Sequence, residues 1–201
     1  MKQKEIDFNS FMLDIKGNIN FLEVTPDKKI LIGVSGGSGS GKTFISKKIA
    51  EKLNAKLLSM DDYIIYEKVK TSKNWDIPEI WDLELLKKHL NEIKKGNDFE
   101  KPVYDFSKRE EGKMENFKHE RIVVVEGNFA LHNLFSDLYD FKIFVDASEK
   151  VRLERRLGRD VKKRGRTREQ ILQKWREFVQ PMYLRHIEPQ KAIADLIVRN
   201  G

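Results

Sequence analysis

Gly36-Gly37-Ser38-Gly39-Ser40-Gly41-Lys42-Thr43 carries the pattern G-x-x-x-x-G-K-[ST] in full. Each residue type has a chemical reason. Glycines let backbone N–H groups converge on phosphate oxygens, and the helix that follows points its positive end at them. Lys42 would neutralise charge on the β and γ phosphates, and the Thr43 hydroxyl would ligate Mg²⁺. A flexible Gly/Ser linker has a similar composition, but residue frequencies produce the full pattern in a chain this long only ~1% of the time. Here it also sits between an apolar run and a helical pattern, the context that a phosphate loop (P-loop) requires.

Phosphoryl transfer also needs acids. Glu126 closes the apolar run Ile122-Val123-Val124-Val125, where a Walker-B-type metal carboxylate belongs. Asp61 ends the strand pattern after the P-loop helix, so a parallel sheet would open it onto the same carboxyl edge. There it could take a proton from an attacking hydroxyl, or bind Mg²⁺. A lone acid at either place is commonly a surface carboxylate or a turn cap. The P-loop shifts that balance.

The chain carries 39 Lys and Arg against 32 Asp and Glu, a net charge of +7. Ten basic and two acidic residues fall between Lys150 and Arg168, so the remainder nets to one negative charge. Arg152, Arg155, Arg156 and Arg159 fall within one helical face, with Leu153, Leu157 and Val161 on another, and Arg164-Gly165-Arg166 breaks the helix. Beside a P-loop this reads as a lid whose arginines close over a triphosphate. A nucleic-acid-dependent NTPase could use the same segment as a binding stripe, but a slightly acidic remainder does not supply an extended basic groove. Intact Lys42, Thr43, Asp61 and Glu126 count against a degenerate P-loop that binds without turnover.

These side chains must be positioned by a fold of 201 residues, a length that suggests one domain. The absence of cysteine excludes a disulfide scaffold, a Cys-ligated metal and cysteine catalysis. Apolar runs of four or five residues fall far short of a membrane span, and Met1-Lys2-Gln3-Lys4 opens no signal core. A soluble cytoplasmic protein is expected. The spacing predicts strands at 30–35, 55–59, 122–125, 141–145 and 195–198, and helices at 43–53 and 81–95. Asp82, Ser148 and Thr167 are candidate helix caps. Residues 99–120 read as a loop or irregular hairpin, and 1–24 as a helical or irregular extension. Strands alternating with helices predict an α/β fold, a mainly parallel sheet flanked by helices. His89, His119, His132 and His186 show no metal-ligand spacing, and Trp75, Trp81 and Trp175 read as core or pocket wall.

Taken together, the motifs from about Lys29 onward resemble the uridine kinase family of P-loop small-molecule kinases, related to phosphoribulokinases. Leu31 to Ser38 is similar to that family's P-loop entry, Leu58-Ser59-Met60-Asp61 to its general-base segment, and Val125-Glu126-Gly127 to its second metal carboxylate. Asn74-Trp75-Asp76-Ile77-Pro78 resembles its ribose-binding element, and Pro102-Val103-Tyr104-Asp105-Phe106 its base-holding hairpin. Lys142 to Asp146, Arg155-Arg156 through Arg159-Asp160, and Arg164-Gly165-Arg166 resemble its strand and lid.

The resemblance implies a P-loop kinase domain over 29–201, with an N-terminal extension over 1–28, substrate-binding insertions over 63–120 and a lid over 150–168. It implies ATP (or GTP) as phosphate donor with Mg²⁺, and a nucleoside-like acceptor, most directly the 5′-hydroxyl of uridine or cytidine. It implies no nucleic acid and no membrane partner, and leaves a homo-oligomer open. Asp61 would be the base, with Thr43 and Glu126 beside it on the metal. Lys42, Arg159 and Arg164 would act on the transferring phosphoryl group. Asp76, Tyr104, Phe106, Arg156 and Arg166 would hold the acceptor. The family's pyrimidine-reading histidine falls on Arg109, a tyrosine near the base falls on Ile64, and a lid-proximal glutamine on Lys174. Arg109 only donates, which suits a uracil carbonyl better than a cytosine amino group. The alternative acceptors are a phosphosugar, nicotinamide riboside or a pantothenate-like acid.

Overall fold

The computed structural model describes residues 3–19, 28–105, 110–111 and 114–201. The N-terminal part comprises β1 (Lys4–Asp7), α1 (Phe8–Leu13), α2 (Ile15–Asn18), β2 (Ile30–Ser35), α3 (Lys42–Leu53) and β3 (Lys56–Ser59). Next come α4 (Tyr66–Thr71), α5 (Leu83–Lys95) and four short strands: β4 (Phe99–Lys101), β5 (Tyr104–Asp105), β6 (Glu110–Glu111) and β7 (Glu115–Phe117). The chain ends with β8 (Ile122–Glu126), β9 (Phe141–Asp146), α6 (Glu149–Arg164), α7 (Arg168–Lys174) and β10 (Leu196–Arg199).

Among the described residues, six strands form one sheet in the order β1-β10-β9-β2-β8-β3, and every neighbouring pair is parallel. β2 and β8 are buried along their whole length, as strands covered by helices on both faces must be. Their alternate residues feed two cores. Leu31, Val123 and Val125 pack on one side, and Ile30, Ile32, Val34 and Val124 on the other.

The helices start where the sequence supplies a cap. Asp82 accepts from Leu85 N at the head of α5, and Ser148 from Val151 N at the head of α6. Thr167 and Gln170 close a reciprocal capping box at α7. Beyond α7 the chain stays helical through two π turns, Trp175–Val179 and Tyr183–Ile187, which place Trp175 and Tyr183 in the interior.

The N-terminal segment is helical over Phe8–Leu13 and Ile15–Asn18, as a helical extension predicts, and departs from that reading over its first residues. Lys4–Asp7 is an edge strand on β10, and Arg199 holds Glu5 through Nε and Nη2 at 2.8 and 2.6 Å. With Ile6 its one apolar residue, so short an edge strand leaves no alternation to read. The 99–120 stretch forms two antiparallel ladders, β4 with β7 and β5 with β6.

Candidate active site

The P-loop leaves the carboxyl end of β2 and enters α3 directly. Gly39 and Gly41 adopt φ of +86° and +94°, a left-handed backbone that favours glycine. A Cβ at Gly39 would run into the carbonyl oxygen of Arg152. Gly41 caps α3 without a side chain, so nothing of its own covers the first helical N–H groups.

Sheet register brings the acids to the loop. Val34, Glu126 and Ser59 are level across β2, β8 and β3. The Thr43 hydroxyl donates to Glu126 Oε2 at 3.2 Å and the Ser59 hydroxyl to Oε1 at 3.3 Å. Asp61 follows two residues after Ser59, in a 3₁₀ turn. Burial raises the Asp61 and Glu126 carboxyls above their ordinary values, and the nearby Lys42 charge opposes the rise in both. Burial also lowers Lys42, against the pull of Glu126 and then Asp61. One lysine and two carboxylates therefore share one low-dielectric corner.

This donor set suits Mg²⁺, which takes one or two carboxylates with hydroxyl, water and phosphate oxygens rather than a full protein cage. Among the described residues no three His, Cys, Asp or Glu side chains cluster as a metal site of their own.

A cleft of about 130 Å³ opens in front of the loop. Ser38, Lys42, Thr43, Asp61, Asp76, Arg156, Arg159, Arg164 and Arg166, all picked out from the sequence, line it together. Arg156 spans its two sides: Nη1 donates to Ser38 Oγ at 3.1 Å and lies 3.9 Å from Asp76 Oδ1. Burial raises Asp76, and Arg156 opposes that shift. Glu126 sits just behind, 4% exposed, reaching the cleft through Thr43. Trp75, Trp81, Ile64 and Lys174 also line it, with Lys73, Ile80, Phe178 and Asn128, which the sequence did not single out.

Some expectations change. Arg152 and Arg155 share a helical face with Arg156 and Arg159, yet neither lines the cleft. Arg152 is 1% exposed, its guanidinium 3.7 Å from the Tyr183 ring centroid, donating to Ala147 O and Gln180 Oε1. Arg155 donates to Ser40 O and Asn200 O. Arg155 thereby braces the loop's backbone, while Arg152 ties the head of α6 to Gln180 and Tyr183. Helical periodicity gives a face but not what that face meets. Tyr104 is also absent from the cleft walls; it is 5% exposed and belongs to the core cluster of Met60 and Tyr63. Phe106 and Arg109 lie outside the described residues.

The organiser of the remaining arginines is Asp160, which is fully buried. Arg159 Nε donates to its Oδ1 at 2.7 Å, and Arg156, Arg164 and Arg166 stand 3.6–3.7 Å away. Burial works against that carboxylate, but the Arg159 bond and surrounding guanidiniums hold it below its ordinary value. The spacing Arg156-Asp160-Arg164, four and four, is the signal that points to it.

Residues 31–201 match the phosphoribulokinase / uridine kinase family. The chain belongs to that family. A uridine kinase of Clostridium tetani (strain Massachusetts / E88) is 40% identical over 186 residues, covering 87% of this chain and 88% of the relative. A uridine kinase of Ligilactobacillus salivarius (strain UCC118) is 37% identical over 187 residues, covering 87% of each. The structure of a possible uridine kinase from Bacillus stearothermophilus superposes with a TM-score of 0.72, covering 94% of this chain and 98% of that one. Its 17% identity makes this a likeness of fold. Among the described residues, no helix of this family member is long and apolar enough to cross a membrane.

Proposed function

We propose that this chain transfers the γ-phosphate of ATP to the 5′-hydroxyl of uridine, with cytidine the poorer acceptor. The observation that carries the reading is the single cleft in which Lys42 and Asp61 face Asp76 and Arg156. The family and its uridine kinase relatives support the acceptor class.

In this reading the backbone N–H groups of residues 36–41 and the Lys42 ammonium hold the β and γ phosphates. Asp76 and Arg156 hold the sugar so that its primary hydroxyl points at the γ-phosphorus. A new O–P bond forms to that oxygen while the bond to the β–γ bridging oxygen breaks, ADP leaves, and the hydroxyl proton passes to the Asp61 carboxylate. Arg159 and Arg164 stabilise charge on the transferring group. Thr43, Glu126 and Asp61 would hold Mg²⁺, which when bound supplies further neutralisation of phosphate charge. Most of the rate enhancement is then positioning and electrostatics. Arg156, Arg159, Arg164 and Arg166 of the basic segment turn toward Asp160 and the cleft, which favours a kinase lid over a nucleic-acid stripe.

The test is ATP consumption against uridine, cytidine, a phosphosugar, nicotinamide riboside and pantothenate. Uridine should be the fastest. Turnover of another acceptor alone would overturn the uridine assignment, and turnover of none would overturn the kinase reading.

A further inference from the structure

One backbone oxygen of the P-loop is held from outside by two side chains. Asn200, which follows β10, donates from Nδ2 to Ser40 O at 2.7 Å. Arg155 of α6 donates from Nη1 to the same oxygen at 3.3 Å and to Asn200 O at 2.9 Å. Its Nη2 donates to Asn200 Oδ1 at 3.4 Å. Asn200 is itself anchored to the sheet, because its backbone N–H donates at 2.7 Å to the oxygen of Asp146, the last residue of β9. The P-loop, the end of the sheet and the lid helix therefore meet at the Ser40 carbonyl.

The peptide joining Ser40 to Gly41 is planar, with its C=O and N–H pointing in opposite directions. A carbonyl drawn toward Asn200 and Arg155 thus turns the Gly41 N–H away from β10 and α6. Glycine takes either sign of φ at little cost, so the Gly/Ser loop does not decide by itself which way this peptide faces. Two donors on the oxygen do decide it. A Cβ on Gly41 would run into Asn200 Nδ2, so the glycine is also what lets the amide come close. Gly41 caps α3, which puts its N–H with the donors at the positive end of that helix. Stability alone gives these contacts little purpose. Asn200 is half-buried and Arg155 exposed, positions where water replaces a lost hydrogen bond at small cost.

We propose that Asn200 is a positioning residue for phosphate binding: with Arg155 it holds the Ser40 carbonyl so that the Gly41 N–H stays among the donors offered to the triphosphate. The proposal rests on the reading of residues 36–43 as the site of the ATP phosphates.

The experiment titrates ATP and inorganic tripolyphosphate, each with Mg²⁺, calorimetrically into the full chain. Tripolyphosphate carries the phosphates without base or sugar, so it separates an action through the loop from a contact with the rest of ATP. Asn200→Ala should weaken both ligands by the same factor, about 3- to 10-fold, the scale of one neutral hydrogen bond. The KM for uridine should hold, and Tm should stay within about 2 °C of wild type. Arg155→Lys keeps the charge but loses the fork that spans Ser40 O and Asn200 O. It should weaken both ligands by a smaller common factor, and at an exposed position it decides the matter even if Asn200→Ala folds poorly. Three results would overturn the proposal: affinities unchanged in the variants, ATP weakened with tripolyphosphate unaffected, or a lower Tm with neither affinity moved. ATP consumption with uridine is measured alongside. Its absence, with both ligands weakened in the variants, would sink the uridine reading and leave the positioning role standing. Uridine turnover with unchanged affinities would do the reverse.

Discussion

Lys101 Nζ lies 2.7 Å from Asp62 Oδ2, joining the stem of the hairpin insertion to the turn that carries Asp61. The lysine side chain is 7% exposed and also donates to Pro102 O at 3.4 Å; Glu115, its register partner on β7, is 3.6 Å away. Thirty-nine residues separate the pair in sequence. Truncating one member strands a mostly buried charge. Lys101→Met should therefore cost on the order of 2 kcal/mol in urea unfolding, below the full penalty of a buried pair because Asp62 keeps some solvent. Lys101→Met/Asp62→Asn should recover most of that loss. Additive costs in the double variant would show that the two residues do not act as a pair.

Asp61→Asn removes the proposed base while keeping its shape. ATP binding should persist and kcat should fall by roughly 10²-fold or more, the usual scale of general-base catalysis. The wild-type carboxyl is raised by burial from its ordinary value of 3.8, and it must be ionised to accept a proton. Activity should therefore rise with pH as this carboxyl ionises, and the variant's residual rate should lack that limb. Near-wild-type kcat in Asp61→Asn would remove this residue from the mechanism and make Asp62 the next candidate.

Arg159 and Arg164 meet one carboxylate, Asp160, from opposite sides in sequence. Groups that stabilise charge developing during transfer affect kcat more than KM. Arg159→Ala and Arg164→Ala should each lower kcat by about 10- to 1,000-fold, and Arg159→Ala should also lower Tm, because it takes the 2.7 Å hydrogen bond from the buried Asp160 carboxylate. Full activity in both variants, with salt-sensitive RNA or DNA binding lost in them, would instead favour the nucleic-acid stripe.

The parts of this site that the sequence exposed are those written in contiguous residues. Residues 36–43 encode the P-loop locally, and unbroken apolar runs deliver Asp61 and Glu126 to one sheet edge. What stayed hidden is set by contacts between distant segments. The period of α6 puts Arg152, Arg155, Arg156 and Arg159 together, but only packing against Tyr183 and Ser40 turns two of them away from the cleft. The strand at Lys4–Asp7 is stabilised from outside itself, by β10 and Arg199, so its own residues carry no pattern.

Behind the Asp61 turn, Tyr63 Oη lies 2.8 Å from His89 Nδ1, and the imidazole stacks on Phe99 with centroids 4.2 Å apart. Burial, helped by Lys88, brings His89 down to about 4 from 6.5. The folded protein thus keeps this ring neutral where the unfolded chain would protonate it. Its contribution to stability is present above about pH 6.5 and is lost as pH falls toward 4, with a slope of at most ~1.4 kcal/mol per pH unit. Urea midpoints between pH 7 and 4.5 should fall more steeply in wild type than in His89→Phe, which has no proton to take up. Parallel slopes would mean that His89 titrates normally.

Gln190 ties the strand before the P-loop to the loop after Glu126. Its Oε1 accepts from Leu131 N at 2.9 Å and lies 3.0 Å from the Ser35 hydroxyl, while Nε2 donates to Asn128 O and His186 O at 2.9 Å each. The side chain is 7% exposed, so water is poorly placed to replace these bonds. Gln190→Ala takes its partner from the Leu131 N–H and the His186 carbonyl, while Asn128 O keeps the Ser35 hydroxyl, and should destabilise by about 2–4 kcal/mol in urea unfolding. Gln190→Glu, ionised, keeps the acceptor for Leu131 but sets a carboxylate against two carbonyl oxygens, so it should cost at least as much at pH 8. Lowering the pH should relieve the Glu variant alone, because a protonated carboxyl regains one donor. If Ala and Glu both remained within about 0.5 kcal/mol of wild type, as at an ordinary surface position, Gln190 would not be the joint between these segments.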